Sequence, residues 1–363
     1  MRERIRSTKY GIRIAYYVLR NEEFVNESPS GKFSVPRWLP GALISIALIG
    51  AILYFVDLDK MVKAVQKANY GLLAISFALS FAWMALRAKV WQTLLRDRPT
   101  FLDTLFTVGE GYLLNALLPF RLGELGRAFL ISRKSKIQFV EVLPTIVIER
   151  VVDLGITAAI LLASLPFVTG AQGSQQVGFI VGGIVLFGLV MMYVLARNNQ
   201  WALDLFHKLS ARWPSLQKFG GGFLESFFAG LGVLTDSWLF VRFLFWMLLN
   251  WSVAVAAYDL MIRAYFPDAQ FIWTFFALGA VAFGGAIPAL PGGAGTADAA
   301  ITAALTLLTG DGSTALAVAL TVRLYNYLNS GVIGFIGLSR EGETLGGVYR
   351  ELMALRTRGD KEE

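Results

Sequence analysis

The sequence predicts an all-α, polytopic membrane helical bundle. It comprises six full spans plus two Pro/Gly-broken hairpins inserted from opposite faces, an eight-span equivalent arranged as an inverted repeat. Three observations carry this expectation. Hydrophobic residues make up 55% of the 363 positions and charged residues 16%, with a mean hydropathy of +0.56. Several uninterrupted apolar runs approach the roughly 20 residues that a helix needs to cross hydrocarbon. Two apolar stretches are broken by Pro-x-x-x-Gly, one from Pro119 to Gly123 and one from Pro288 to Gly292. Irregular backbone at membrane depth is tolerated only where protein buries it or a wet cavity receives it. Broken segments in corresponding positions of two halves point to a transport site, where half-helix ends aim backbone dipoles at a ligand.

Composition also removes function classes. The chain has no cysteine, and its one histidine, His207, lies in a polar amphipathic stretch. Disulfides, thiolate chemistry, histidine-based zinc sites and Ser/His/Asp catalysis therefore lack their parts. No catalytic residue, metal or cofactor is expected. The net charge of +7 is read as positive-inside topology and contact with anionic headgroups, not as a nucleic-acid surface.

Residues 1–37 interleave Arg2, Arg4, Arg6, Lys9, Arg13, Arg20, Lys32 and Arg37 with Ile5, Ile12, Tyr16, Tyr17 and Leu19. This segment is too long and too mixed for a cleaved signal peptide and reads as cytoplasmic, basic and amphipathic. The integral membrane domain occupies 38–338. Its full spans are expected at Trp38 to Val56, Tyr70 to Leu95, Phe139 to Val168, Val177 to Ala196, Trp238 to Phe266, and Thr314 to Leu338. Within it, residues 197–237 set His207, Lys208, Arg212 and Lys218 among Trp201, Leu205, Phe206, Trp213 and Phe219, the pattern of cytoplasmic interfacial helices. A charged cytoplasmic tail covers 339–363.

Loop charges orient the hairpins. Arg96, Arg98, Arg133, Lys134 and Lys136 flank the first, so it enters from the cytoplasm and returns there. Pro267-Asp268-Ala269-Gln270 and Gly310-Asp311-Gly312-Ser313 frame the second without Lys or Arg, so it enters from the opposite face. Both termini are then cytoplasmic, whether each hairpin stops halfway or crosses, and the tips are expected to meet near the midplane.

Ionisable groups in apolar segments are costly and mark function by default. Arg121, Glu124 and Arg127 recur at three-residue steps, and Glu149 and Asp153 stand four apart with Arg150 beside them. Two readings stand side by side. In one, the guanidinium forks hold a phosphate while the carboxylates take a cationic headgroup or carry protons; in the other, the same charges form an internal salt-bridge network. Glu110 is a further candidate, near the interface. On the last span, Arg323, Asn326, Tyr327, Ser330 and Gly334 make a polar stripe expected to face the interior, with Asp298 as a partner for Arg323. Asp259 and Arg263 are expected to form an ordinary i,i+4 pair, and Arg87 and Lys89 to snorkel to the inner headgroups. The run from Pro291 through Gly292, Gly293, Ala294 and Gly295 to Thr296 lacks the Gly-Lys-Ser/Thr ending of a nucleotide loop. Its glycines instead permit close backbone approach and open a helix at Thr296, whose free N–H groups suit a lipid phosphate.

Four motifs together resemble the membrane region of the lysylphosphatidylglycerol synthase/flippase family. They are Asn115-Ala116-Leu117-Leu118-Pro119-Phe120-Arg121-Leu122-Gly123-Glu124-Leu125-Gly126-Arg127, Glu149-Arg150-Val151-Val152-Asp153, Ile287-Pro288 through Gly295, and Arg323-Leu324-Tyr325-Asn326-Tyr327. The resemblance covers residues 38–338. The family's acidic residue after Pro-Gly-Gly is shifted or replaced here, at Thr296-Ala297-Asp298. The resemblance implies an integral protein of the cytoplasmic (inner) membrane that handles or translocates polar-headgroup lipids, such as aminoacyl-phosphatidylglycerol, hopanoids or polyprenyl-linked sugars. Synthesising members carry a soluble carboxyl-terminal domain that this sequence lacks, so synthase activity is not expected. The leading expectation is a lipid flippase whose phosphate site uses Arg121, Arg127 or Arg323 and whose cation site uses Glu124, Glu149 or Asp153. Arg150 and Asn326 complete the expected headgroup-binding set. The alternative is a membrane-embedded transferase acting on a lipid-linked phosphate, or a noncatalytic subunit of a lipid-modifying complex. Expected partners are membrane lipids with anionic or phosphate-bearing headgroups, a second copy of the chain, or a lipid-synthesising enzyme.

Overall fold

The computed structural model describes residues 56–117, 122–135, 137–169, 236–286 and 290–341, with isolated positions elsewhere. The expected segment 1–37, nearly all of the spans Trp38 to Val56 and Val177 to Ala196, most of 197–237 and the tail beyond 341 lie outside the described residues. So do the hairpin residues Pro119, Arg121 and Pro288. Among the described residues every regular element is helical. The α-helices are α1 (Leu58–Lys67), α2 (Tyr70–Leu94), α3 (Phe101–Leu117), α4 (Leu122–Ser135), α5 (Phe139–Thr169), α6 (Ser237–Tyr265), α7 (Phe271–Ala286), α8 (Thr296–Thr309) and α9 (Gly312–Glu341). A single 3-10 turn, Pro291–Gly293, precedes α8.

Local chemistry sets the helix ends. Asn69 and Asp236 cap α2 and α6, their side chains accepting from Leu72 N and from Trp238 and Leu239 N. Asp57 caps α1, and the Lys60 amide holds its carboxyl below the usual range. Asp311 is also lowered; burial pushes it upward, but the Thr314 hydroxyl and the Thr314 and Ser313 amides outweigh that. Gly310, in left-handed backbone at φ 72°, closes α8 where a side chain would be strained. Segments Tyr70–Leu94, Glu141–Val168 and Ser237–Tyr265 are long and apolar enough to cross a membrane. The 30-residue α9 matches them in length but carries the polar stripe.

Helices α2 and α6 run antiparallel along their length. Asn69 N donates to Ala264 O (2.9 Å), Ser76 Oγ to Ala257 O (2.7 Å) and Asn250 Nδ2 to Trp83 O (2.9 Å). Helices α3 and α4 pair closely, Gly123 N donating to Asn115 Oδ1 at 2.8 Å. A Cβ on Gly123 would collide with the Gly111 carbonyl, and one on Gly111 would stand 2.7 Å from Arg127 Cγ. Glycine is needed there because backbone faces backbone. Helix α3 also runs antiparallel to α9 through a small-residue contact, a Cβ on Gly334 falling 2.8 Å from Gly109 O. Helices α7 and α8 form a second close pair, α7 packing on α5 and α8 on α9.

Among the described residues two large apolar cores result, beside a small cluster of Leu114, Leu130 and Leu338. Trp91, Val108, Ala128, Ile131, Ile148, Phe243, Met247 and Ile333 belong to one; Leu73, Ile262, Ala277, Ile301, Leu305, Ala315 and Val318 belong to the other. Helices α2, α6 and α9 each give one end to each core. The α3–α4 pair packs at one end of those long helices and the α7–α8 pair at the other.

The α3–α4 contact yields a prediction. Gly123→Ala should cost about 1–3 kcal/mol, the penalty of forcing atoms into a filled interface. Gly155→Ala, which meets nothing within 4 Å, should stay within about 1 kcal/mol of the wild type. Thermal melts of both variants in detergent micelles check this pair; equal melting temperatures would show that the close approach does not hold.

Candidate functional site

Charged side chains from α2, α4 and α5 converge on Glu149. Its side chain is 0% exposed, and Arg127 (2%) and Arg87 (3%) are nearly as buried. Arg127 reaches it as a fork, Nη2 to Oε2 at 2.7 Å and Nη1 to Oε1 at 3.3 Å. Arg87 Nε lies 3.0 Å from Oε1 but off the N–H direction, an ion contact without a hydrogen bond. Instead Arg87 directs its Nη pair at the Asp153 carboxylate, one branch at 2.9 Å, and Nη1 also reaches Asn250 Oδ1 at 3.5 Å. The Arg127 guanidinium lies 4.0 Å from the Trp91 ring centroid, and Trp91 Nε1 donates to Thr145 Oγ1 at 3.0 Å. Two faces of one arginine are thereby satisfied by an acid and an aromatic ring.

The network opens at its other end. Arg150, with a 25% exposed side chain, donates from Nη2 to Glu149 Oε1 (3.1 Å) and Tyr112 OH (3.4 Å). Its Nη1 stands 3.6 Å from Asp153 Oδ2, and its Nε stands 3.3 Å from Oε1 of Glu124, which is 24% exposed. Trp251 Nε1 donates to Asp153 Oδ1 at 3.3 Å.

A second cluster lies at the turn before α8. Arg323 Nε donates to Asp298 Oδ1 (2.9 Å), with its Nη2 on Oδ2, and Nη1 donates to Tyr327 OH (2.9 Å). Asp298 Oδ2 in turn accepts from Gly295 N at 3.0 Å, closing the start of α8. Arg323 Nη2 also reaches Gly293 O at 3.3 Å. Gly292 adopts φ 67°, and a Cβ there would meet Tyr327 OH at 3.2 Å and Ala116 Cα at 3.6 Å. The ends of both broken stretches therefore touch, beside Tyr327 in the middle of α9. Tyr112 and Ala116 are one helical turn apart on α3, about 6 Å, so the two clusters neighbour one another.

The structure sorts the expected residues. Glu124, Arg127, Glu149, Arg150 and Asp153 come together, and Arg323 meets Asp298, Gly293 and the tip of the second stretch. The polar stripe of α9 divides, Ser330 being buried while Asn326 and Tyr327 are exposed. The Asp259–Arg263 pair forms at 2.7 Å. Arg87 does not snorkel: it sits in the centre of the network. It lies seven residues short of Leu94, about 10 Å of helix, and that depth was the available signal. Glu110, expected near the interface, is fully buried and accepts from Lys134 Nζ at 3.0 Å. Tyr112, Trp91, Asn250 and Trp251 carry no spacing signal and enter the site by packing.

The family described as the lysylphosphatidylglycerol synthase TM region matches residues 38–334 of the chain. A UPF0104 membrane protein of Methanocaldococcus jannaschii is 24% identical over 322 residues, covering 82% of this chain and 92% of that protein. A UPF0104 membrane protein of Archaeoglobus fulgidus is 25% identical over 289 residues, 71% and 83% of the two chains. No solved structure matches significantly.

Burial ranks the charges. Glu149→Gln strands two sealed guanidiniums and should cost about 3–5 kcal/mol, as breaking a buried pair does. Glu124→Gln, at the open rim, should cost no more than about 1 kcal/mol. Melting temperatures of the two purified variants read the difference, and a Glu149→Gln protein as stable as Glu124→Gln would refute the ranking.

Proposed function

The chain belongs to the lysylphosphatidylglycerol synthase transmembrane-region family, and from that membership and the hairpin geometry we propose that it moves a polar-headgroup lipid across the cytoplasmic membrane. One observation carries the reading: the ends of the two Pro/Gly-broken hairpins meet beside Tyr327, 15 residues after Gly312 and 14 before Glu341. Helix arms of 17 and 14 residues (α3, α4) and of 16 and 14 residues (α7, α8) extend about 21–25 Å, short of a hydrocarbon core of about 30 Å. They enter from opposite faces and leave irregular backbone and charge at mid-depth. One end of the bundle carries Arg96, Arg98, Arg133, Lys134, Arg242 and Arg340, which supports a cytoplasmic position for it by the positive-inside rule. Lys60, Lys63, Lys67 and Arg263 lie at the other.

In this reading Arg127, Glu149 and Arg87 hold the frame. Arg150 and Arg323, both part-exposed, meet the headgroup phosphate as it passes the tips. Glu124 and Asp153 stand beside Arg150, and Asn326 and Tyr327 line the same passage. The acyl tails stay in lipid, and the lipid is relocated without covalent change.

Reconstituted liposomes containing fluorescent or chemically reducible headgroup analogues test this. Wild type should speed the loss of leaflet asymmetry over empty liposomes. Arg150→Gln and Arg323→Gln, each first shown to be folded, should slow it at least about tenfold, the loss of about 1.4 kcal/mol in one charge-assisted contact. No acceleration by wild type with anionic, zwitterionic or cationic lipids, or undiminished rates in both variants, would refute the proposal.

A further inference from the structure

Three lysines of α1, Lys60, Lys63 and Lys67, stand at the end of the bundle opposite Arg96, Arg133 and Arg340, and the transport reading leaves them unused. Ties at both ends fix how α1 lies. Asp57 N, at its start, donates to Ser313 Oγ at 3.2 Å beside the first residue of α9. Asn69 N, just past its end, donates to Ala264 O at 2.9 Å in the last turn of α6. The start of α9 and the end of α6 share the second apolar core through Ile262, Ala264, Ala315 and Leu316, so they belong to one end of the bundle. The 10 residues of α1, about 15 Å of helix, therefore run across that end instead of through it.

The faces of α1 are sorted three ways. Met61 and Ala64 are half-buried, Met61 against the second core. Leu58, Val62 and Val65, at the i, i+4, i+7 spacing of one helical face, remain 51%, 47% and 36% exposed. The lysines recur at i, i+3 and i+7 on the opposite side and are exposed as well. Lys60 Nζ lies 3.6 Å from Asp57 Oδ2; among the described residues Lys63 and Lys67 hold no carboxylate. The neighbouring acids are committed elsewhere, Asp57 and Asp311 to helix starts and Asp259 to Arg263. A helix laid along the ends of membrane spans, with aliphatic residues on one side and amines on the other, fits the boundary between acyl chains and headgroups. Tyr70, exposed at the head of α2, sets its hydroxyl on Val65 O at 2.9 Å, the placement of an interfacial tyrosine.

We propose that α1 is an in-plane anchor and that Lys63 and Lys67 form a binding site for the phosphate of anionic phospholipids in the leaflet at this end. Leu58, Val62 and Val65 enter the acyl boundary beside it. The site needs no lipid movement, so it stands or falls apart from the transport reading.

The cysteine-free chain accepts one probe at a time. Val62→Cys and Lys60→Cys, each carrying a bimane label, are read in nanodiscs of mixed phosphatidylglycerol and phosphatidylcholine, with one or the other lipid brominated on its acyl chains. Brominated lipid should quench the label at position 62, and aqueous iodide the label at position 60. A lysine beside an anionic surface is worth about a fivefold enrichment. At equal mole fraction, brominated phosphatidylglycerol should therefore quench the label at position 62 more strongly than brominated phosphatidylcholine. Lys63→Gln with Lys67→Gln should remove that excess while quenching by lipid persists, and Lys63→Arg with Lys67→Arg should keep it. Equal iodide access at both labels, or no quenching by either brominated lipid, would overturn the anchor and leave water or a soluble partner against Leu58 and Val62. Equal quenching by the two lipids with both lysines present, or an excess that survives their loss, would overturn the anionic site.

Discussion

A fully buried carboxylate between two arginines from two other helices organises this bundle. Glu149 on α5 cannot stay charged in an apolar interior unless Arg87 from α2 and Arg127 from α4 reach it. The same requirement fixes where α4 must lie. An arm of 14 residues is too short to be defined by spanning the hydrocarbon, so its position depends on what it docks against. Arg127 supplies that anchor, held by Glu149 on one side and by the Trp91 ring at 4.0 Å on the other. The glycines at 111 and 123 then follow, because the Arg127 stem passes where any side chain on Gly111 would stand.

The second broken stretch is secured by the same device at smaller scale. Asp298 both accepts from the Gly295 amide at the start of α8 and takes the Arg323 guanidinium from α9. One carboxylate thus ends an irregular segment and ties it to a long helix. Each of the two short helix pairs is anchored by an acid–arginine pair, each end of α2, α6 and α9 is committed to its own apolar core, and the two pairs approach one another at Ala116 and Gly292. The chemistry that would greet a headgroup lies within one turn of α3 from the junction.

Contiguous features were readable from residue order. The apolar runs place α2 and α6 within a residue of their observed ends, and the Asp259–Arg263 and Asp298–Arg323 pairs follow from spacing and charge. What spacing conceals is the partner across helices. The i,i+3 and i,i+4 patterns of Arg127, Glu149 and Asp153 show which residues share a face, but not that Arg87, 62 positions before Glu149, completes the set. A long basic side chain near a helix end usually escapes to water, which is the ground for expecting Arg87 at the headgroups; its depth of two turns outweighs that tendency once buried acids are within reach. Glu110 illustrates the same point, since Lys134 on the neighbouring arm makes full burial tolerable. Asn326 shows the reverse: a polar residue on an apolar helix that faces an open surface.

The central claim is that lipid headgroups pass between the two hairpin tips. The chain has no native cysteine, so Ala116→Cys with Gly292→Cys makes a unique pair, at positions where a Cβ on Gly292 lies 3.6 Å from Ala116 Cα. The left-handed backbone at Gly292 should accept the side chain at a cost of about 1–2 kcal/mol. Lipid movement by this variant in liposomes, measured oxidised and then reduced, is the most direct test. The account predicts arrest when the tips are cross-linked and recovery on reduction. Unchanged movement with the tips verified as cross-linked would place the pathway elsewhere and contradict it.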